Sequence, residues 1–352
     1  VSAQNDSGSV GKAAGSRGAK LWRRTWVGSS IAGALAGILY LTTLFQSEWP
    51  VLALCALVLA VCIYEVGRMG ALRGRGLAWP LALAALAATW ITHRTFSSVG
   101  GGIDLDAHRD LGFGIGWLLH AGTTGVLLVT AGYALVRSGS RVVQGAGAWL
   151  AVLPLFAERA FGPENGPLVV LGSFLFVALR LLVFGAERRG ESLAVMLLGP
   201  LLVVSMLGLV WVWYGFGHMG LVTLLALAKI GDSAGYYVGS TLGKHHPYKW
   251  ISPGKTTEGT VASLVGASLT CVGAHALGWL PSESWLGALL AGAVANVAAQ
   301  ASDLLESWVK RKAGVKDSGT WFGPSGGMLD LVDSFFLATP IVLLCWPFLL
   351  RL

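Results

Sequence analysis

Charge is what this sequence has least of. Of its 352 residues only 12% are Asp, Glu, Lys or Arg and 54% are hydrophobic, where soluble domains carry roughly 25% charged residues. A chain so poor in charge cannot cover a water-facing globule, so a soluble protein is excluded and a membrane protein is expected. Cysteine is also scarce: Cys55, Cys62, Cys271 and Cys345 all lie inside apolar runs, without paired spacing. They support neither a disulfide framework nor a zinc site. No cleavable leader is evident. Acidic residues number 18 against 25 basic ones, a net charge of +7. That excess reads as orientation and as attraction to anionic lipid, worth about 1 kcal/mol per basic residue near the surface, and no nucleic-acid partner is expected.

What the sequence has in quantity is apolar runs of the length a helix needs to cross a bilayer, about 20 residues. The expected spans are 25–45, 48–66, 77–92, 112–136, 142–158, 167–185, 193–213, 217–239, 258–280, 285–309 and 329–350. The third is short, so the expected fold is an all-α polytopic integral membrane protein with about ten or eleven transmembrane helices. Alternate loops collect the basic residues: Arg17 to Arg24, Arg68 to Arg75, Arg137 and Arg141, Arg188 and Arg189, Lys244 to Lys255, and Lys310 to Lys316. The opposite loops, among them "QSEWP", "FGPENGP", "GFGHMG" and "LPSES", are poor in Lys and Arg. Because Lys and Arg mark cytoplasmic loops, the N-terminus is expected inside and the C-terminus outside, in a bacterial-type inner or plasma membrane. Residues 1–24 read as a disordered basic cytoplasmic tail, 25–192 as N-terminal transmembrane helices and 193–352 as the functional transmembrane region.

Two polar clusters interrupt this pattern, "KIGDSAGYYVGSTLGKHHPYKWISPGKTTEG" and "ASDLLESWVKRKAGVKDSGTWFGPSGGMLDLVDS". Two spans lie between them, which returns both to one face of the membrane. Asp303, Ser307 and Lys310 stand at i, i+4 and i+7 beside Glu306, on one helical face. Asp330 and Asp333, at i and i+3, form a second acidic face. Charges inside spans are costly and usually face a cavity or a partner. Carboxylates converging from two helices, with lysines, suit Mg²⁺ and a nucleoside triphosphate, since Mg²⁺ takes one or two carboxylates and fills its other positions with phosphate and water. Gly323, Gly326 and Gly327 allow backbone to approach phosphate closely. Taken singly, the Lys310–Lys312 run is an ordinary cytoplasmic anchor and the glycines a turn; the conjunction points to a site. "SPGKTTEG" is not a P-loop, because Lys249 stands where that motif needs a glycine and a preceding strand is missing. Ser252, Lys255, Thr256 and Thr257 still offer polar contacts, with Glu258 opening the next helix. Adjacent His245 and His246 read as surface residues.

At these residues the sequence resembles the phosphatidate cytidylyltransferases, or CDP-diacylglycerol synthases. Their pattern is similar to Ser-x-x-Lys-Arg, four residues, Lys-Asp, then Pro-x-His-Gly-Gly and Asp-Arg-x-Asp. Here it runs Ser307, Lys310, Arg311, Lys316, Asp317 and "GPSGGMLDLVD". Upstream, Asp232, Tyr236, Gly243, Lys244 and "ISPGKTTEG" match a second family element. The resemblance covers about residues 195–345.

It implies an enzyme that joins CTP and phosphatidate into CDP-diacylglycerol and releases pyrophosphate, with the lipid phosphate as nucleophile. It further implies Mg²⁺ on Asp303 and Asp330, with Asp333 supporting them or a second cation, and Lys310 beside them in catalysis. Ser307, Lys310, Arg311 and Lys316 would contact phosphates, and Asp317 would belong to the substrate site. Ser252, Lys255, Thr256, Glu258, Asp232, Gly326 and Gly327 would shape the substrate pocket. Two positions depart from the pattern: Ser325 replaces the His before Gly-Gly, and Leu331 replaces the Arg of the final element. A CTP-dependent polyprenol or phytol kinase, a transporter and a non-catalytic relative are alternatives. A homodimer is left open, since 49 glycines offer many faces for close helix contact.

Overall fold

Helix ends in the C-terminal half are written into the sequence locally. In the computed structural model, Thr256 caps a helix over Thr257–Ala276 by accepting the Gly259 N–H at 3.1 Å. Ser284 caps the next, Trp285–Lys312, through the Gly287 N–H at 3.0 Å. A hydroxyl at the N-cap satisfies one donor that the first turn leaves unpaired. The second helix ends in Lys310, Arg311 and Lys312, cations that complement the negative end of the helix dipole. Gly314 follows at φ 75°, a left-handed conformation that costs glycine little, and the Val315 N–H closes back on the Lys310 carbonyl at 3.0 Å.

The structure describes residues 49–69, 189–322 and 326–352, with single positions at 37, 40, 41 and 44. Its elements in chain order are α1 (Trp49–Met69), α2 (Arg189–Leu242), α3 (Thr257–Ala276), α4 (Trp285–Lys312), α5 (Leu329–Val332) and α6 (Phe335–Leu349). Every regular element among the described residues is thus helical. Among the described residues three stretches are long and apolar enough to cross a membrane, α3, α4 and Leu329–Leu349, or four if the bent pair in α2 counts as one span. The described part of the chain is all-helical and fits an integral membrane protein. The expected spans 77–92, 112–136, 142–158 and 167–185, most of 25–45, and the tail 1–24 lie outside the described residues, as do Gly323 and Ser325.

Where two spans were expected around a "GFGHMG" loop, α2 consists of two helical parts joined across a kink at Gly217 (φ 70°, ψ 179°). The parts Val204–Trp213 and Gly215–Leu242 meet at a 120° bend, close to where the two expected spans were divided. The last expected span is met by Leu329–Leu349, with a local irregularity in it. Asp333 and Ser334 separate α5 from α6, and the Ser334 N–H donates to Asp333 Oδ1 at 2.6 Å.

Small residues let the site helices approach. On α2, Gly231, Gly235 and Gly239 recur every fourth residue against Ser263, Gly259 and Thr256 of α3 and its cap. A Cβ on Gly292 of α4 would lie 2.7 Å from the Ser268 Cα of α3. Close backbone approach through small residues is the usual packing mode of membrane helices. Polar ties add to it: Asn296 Nδ2 donates to Ser263 Oγ at 3.0 Å and Gln300 Nε2 to the Thr260 carbonyl at 3.2 Å. At the far end, buried Trp346 of α6 donates its indole N–H to the Ala291 carbonyl at 3.2 Å. Ser205 of α2 donates to the Phe336 carbonyl at 2.9 Å. The apolar core running through α1, α2 and α6 includes Leu59, Ile63, Leu202, Met206 and Phe336.

Candidate functional site

The polar ladder between α3 and α4 opens into a cavity of about 260 Å³, lined among others by Asp232, Tyr236, Lys255, Thr256, Gln300 and Asp303. Three elements meet here because the α2 glycines bring α2 onto the start of α3, while Asn296 and Gln300 fix α4 beside them. Lys255 Nζ lies 2.6 Å from Asp303 Oδ2, a half-buried ion pair at the cavity wall. Both polar clusters of the sequence therefore contribute to one site.

Beyond Asp303 the site becomes more acidic. Ligand-capable oxygens of Asp303, Glu306 and Asp333 all lie within 4.8 Å of one another. Ser307 Oγ donates to Asp303 Oδ1 at 3.4 Å. Glu306 is fully buried, and neither of its oxygens receives a hydrogen bond. Lys310 Nζ stands 2.5 Å from Glu306 Oε2, at an approach that makes an ion pair without a directed hydrogen bond. Ser302, one turn before Glu306, donates to the Asp333 carbonyl and accepts the Leu337 N–H at 3.2 Å. This pins the α5–α6 break against α4 and explains why the last helix is interrupted there.

Lys310 also contacts Asp330 Oδ1 at 2.6 Å. The other oxygen of Asp330 accepts the Ser318 N–H at 3.0 Å, the Ser318 hydroxyl at 2.9 Å and the Gly327 N–H at 2.6 Å. Gly326 lies at φ 86°, and a Cβ there would collide with the Asp330 carboxylate. Beneath this loop is Glu65 of α1, only 1% exposed. It accepts the Met328 N–H at 2.9 Å, the Leu329 N–H at 2.8 Å and the Ser318 hydroxyl at 2.8 Å.

Of the residues expected in the site, Asp232, Lys255, Thr256 and Asp303 line the cavity, and Ser307, Lys310, Asp330 and Asp333 lie in the adjoining polar web. The resemblance implies metal on Asp303 and Asp330; the close trio is Asp303, Glu306 and Asp333, while both Asp330 oxygens are engaged by Lys310, Ser318 and Gly327. Gly326 and Gly327 approach carboxylates, and the Gly327 N–H is given to Asp330. Arg311, Lys316 and Asp317 are exposed, and Arg311 donates to the Val315 carbonyl at 3.1 Å. Ser252 and Glu258 do not line the cavity. Ser252 accepts the Lys255 N–H through its carbonyl at 3.2 Å. Glu258 holds the preceding loop, accepting the Lys244 N–H at 3.1 Å and contacting His245 Nδ1 at 2.7 Å.

Residues that sequence reasoning passed over are Glu65, Ser302, Ser318, Gln300 and Lys229. Lys229 donates to the Leu331 carbonyl at 3.0 Å. The signal for Glu65 was available: it is the one acid in "WPVLALCALVLAVCIYEVGRM", and an ionisable residue inside a span is a site candidate by its cost alone. The serines carried no such signal.

A family model described as the cytidylyltransferase family matches residues 117–349, more than half of the chain. The chain belongs to the cytidylyltransferase family. It is 42% identical over 125 residues to a Synechocystis protein named phosphatidate cytidylyltransferase, covering 35% of this chain and 42% of the relative. Proteins of the same name from Helicobacter pylori and Bacillus subtilis are each 38% identical, over 133 and 111 residues. Those matches cover 37% and 32% of this chain, and 48% and 41% of the relatives. The chain therefore spans less than half the length of each of these relatives. α3, α4, α5 and α6, with the cavity and the acidic trio, fall inside the family match. Glu65 lies outside it.

Proposed function

We propose that this cytidylyltransferase-family chain converts CTP and phosphatidate into CDP-diacylglycerol and pyrophosphate. The observation that carries the reading is the cavity between α2, α3 and α4, with Lys255 and Asp303 paired on its wall and three carboxylates converging beside it. It is supported by the names of the bacterial relatives. A phosphate-rich substrate needs cations and few nucleophiles, because phosphoryl-type transfer asks a protein chiefly for positioning and charge stabilisation.

In this reading Lys255 leaves Asp303 to hold the triphosphate, and Thr256 and Gln300 orient the polar edge of the nucleotide. Lys310 keeps Asp330 and Glu306 in place and balances charge near the transferring group. A phosphatidate oxygen attacks the α-phosphorus of CTP, the bond to the β-phosphate bridging oxygen breaks, and pyrophosphate leaves. No covalent enzyme intermediate is needed. The residues fit Mg²⁺: Asp303, Glu306 and Asp333 each offer an oxygen within the 4.8 Å cluster, and buried Glu306 has oxygens without hydrogen bonds. Mg²⁺ held there would neutralise triphosphate charge. The site is assigned to the cytoplasmic face and the full chain to ten or eleven transmembrane helices in a bacterial-type inner membrane, on the strength of its basic loops.

The test is pyrophosphate release by the detergent-purified chain given CTP, phosphatidate and Mg²⁺, with chelation by EDTA and Asp303→Asn as controls. Release that requires all three components and is lost in both controls is expected. CDP appearing with a lipid alcohol would replace this reading with a lipid kinase, and neither product under any condition would indicate a non-catalytic relative.

A further inference from the structure

Glu65 belongs to α1, outside the family-matched stretch, yet among the described residues its hydrogen bonds are to the loop that carries Asp330. It reaches across 253 residues of sequence to Ser318. The fit is close on every side. A Cβ on Gly319 would lie 2.7 Å from Glu65 Oε1, and a Cβ on Gly327 would collide with both Glu65 oxygens and with Ser318 Oγ. The two arms of the loop thus close over one carboxylate. Burying a carboxylate among apolar helices is costly unless it is hydrogen-bonded, and here three donors from one loop supply those bonds.

We propose that Glu65 is a positioning residue for the transfer site: it fixes the Gly326–Leu329 turn and, through Ser318, sets where Asp330 holds Lys310. Ser318 Oγ lies 2.8 Å from Glu65 Oε2 and 2.9 Å from Asp330 Oδ2. A hydroxyl has a single proton to donate, so Ser318 gives it to one acid at a time while standing within hydrogen-bond distance of both. From Asp330 the chain of contacts continues to Lys310 at 2.6 Å and on to Glu306 at 2.5 Å. A displacement of Glu65 is therefore transmitted to the acidic trio without Glu65 touching substrate. The catalytic half of this inference rests on the proposed transferase reading; the structural half does not.

The test uses the full chain in detergent with Glu65→Gln, which turns one acceptor oxygen into a donor facing an N–H. Hydrogen exchange at residues 327–329 should quicken about tenfold or more, while α3 and α4 stay unchanged. In pyrophosphate release, kcat should fall about 10- to 100-fold, the range for groups that support a ligand indirectly. KM for CTP should move less than about threefold, because Lys255, Thr256 and Gln300 stand on other elements. Glu65→Asp, which keeps the charge but retracts it by roughly 1.5 Å, should recover part of kcat. Ser205→Ala breaks a buried bond between α2 and α6 and should change none of these readouts. Where Glu65→Gln does not fold, Ser318→Ala takes its place and should give the same split between kcat and KM. Unchanged exchange at 327–329 overturns the proposal, and so does a loosened loop with undiminished kcat. A wild type that releases no pyrophosphate, but whose 327–329 exchange still depends on Glu65, overturns the transferase reading while upholding the loop assignment.

Discussion

Replacing Lys310 by Met should be among the most damaging single changes in the described part of the chain. Its ammonium lies 2.5 Å from Glu306 and 2.6 Å from Asp330. The side chains of Lys310 and Glu306 are 10% and 0% exposed. Asp330 would keep its bonds from Ser318 and Gly327. Glu306 would be left with a buried charge and no hydrogen bond, and breaking a buried pair in this way costs about 3–5 kcal/mol. The double variant Lys310→Met/Glu306→Gln removes the uncompensated charge and leaves a neutral buried amide, whose penalty is about 1–3 kcal/mol. The double variant should thus be more stable than the single one by about 2 kcal/mol, the scale of coupling expected between groups in contact. Reversible unfolding in mixed micelles, followed by helical circular dichroism, measures both. Pyrophosphate release should be absent from both variants, so stability returns without activity. A single variant within about 1 kcal/mol of wild type, or a double variant no more stable than the single, would refute the reasoning.

Lys255→Ala should leave stability nearly unchanged, since its pair with Asp303 is partly open to solvent and such pairs contribute about 0–1 kcal/mol. The same variant should raise KM for CTP about tenfold, one lost charge-assisted contact, and an unchanged KM would remove Lys255 from the phosphate site. Gly292→Ala should cost about 1–3 kcal/mol by overpacking, because the new Cβ meets Ser268 backbone. Gly273→Ala on α3, where a Cβ finds open space, should be neutral, and equal effects in thermal unfolding would contradict the packing described. Ser302→Ala should cost about 1–3 kcal/mol by unpairing the Leu337 N–H and should raise the Mg²⁺ concentration needed for half-maximal pyrophosphate release. An unaltered Mg²⁺ requirement would separate the α5–α6 pin from the acidic trio.

Much of the candidate site was legible because its chemistry is expensive. Asp303, Lys310, Asp330 and Asp333 stand out in an apolar chain, and helical spacing put Asp303, Ser307 and Lys310 on one face, where the structure has them. The meeting of the "ISPGKTTEG" loop with the second cluster followed from counting spans, and the Lys255–Asp303 pair joins the two. Spacing along one helix cannot say which acids from different helices approach, so Glu306 joins Asp303 and Asp333 while Asp330 is held by Lys310 and the loop. Nor does spacing place the basic residues that follow: Arg311 donates to the Val315 carbonyl beyond its own helix and Lys316 is exposed. The bend near Gly217 falls where the sequence divided two apolar runs; its 120° angle is what the sequence did not give.

By itself the sequence determined the membrane class, the ends of α3 and α4 and the identity of the charged residues, because bilayer burial, capping and helical period act locally along the chain. The tertiary structure decided which of those charges meet. A carboxylate's partners depend on which backbones can approach, and here that rests on Gly231, Gly235, Gly239 and Gly292 drawing α2, α3 and α4 together. It also rests on one glutamate of α1 holding a loop more than two hundred and fifty residues away, a contact that no local pattern encodes.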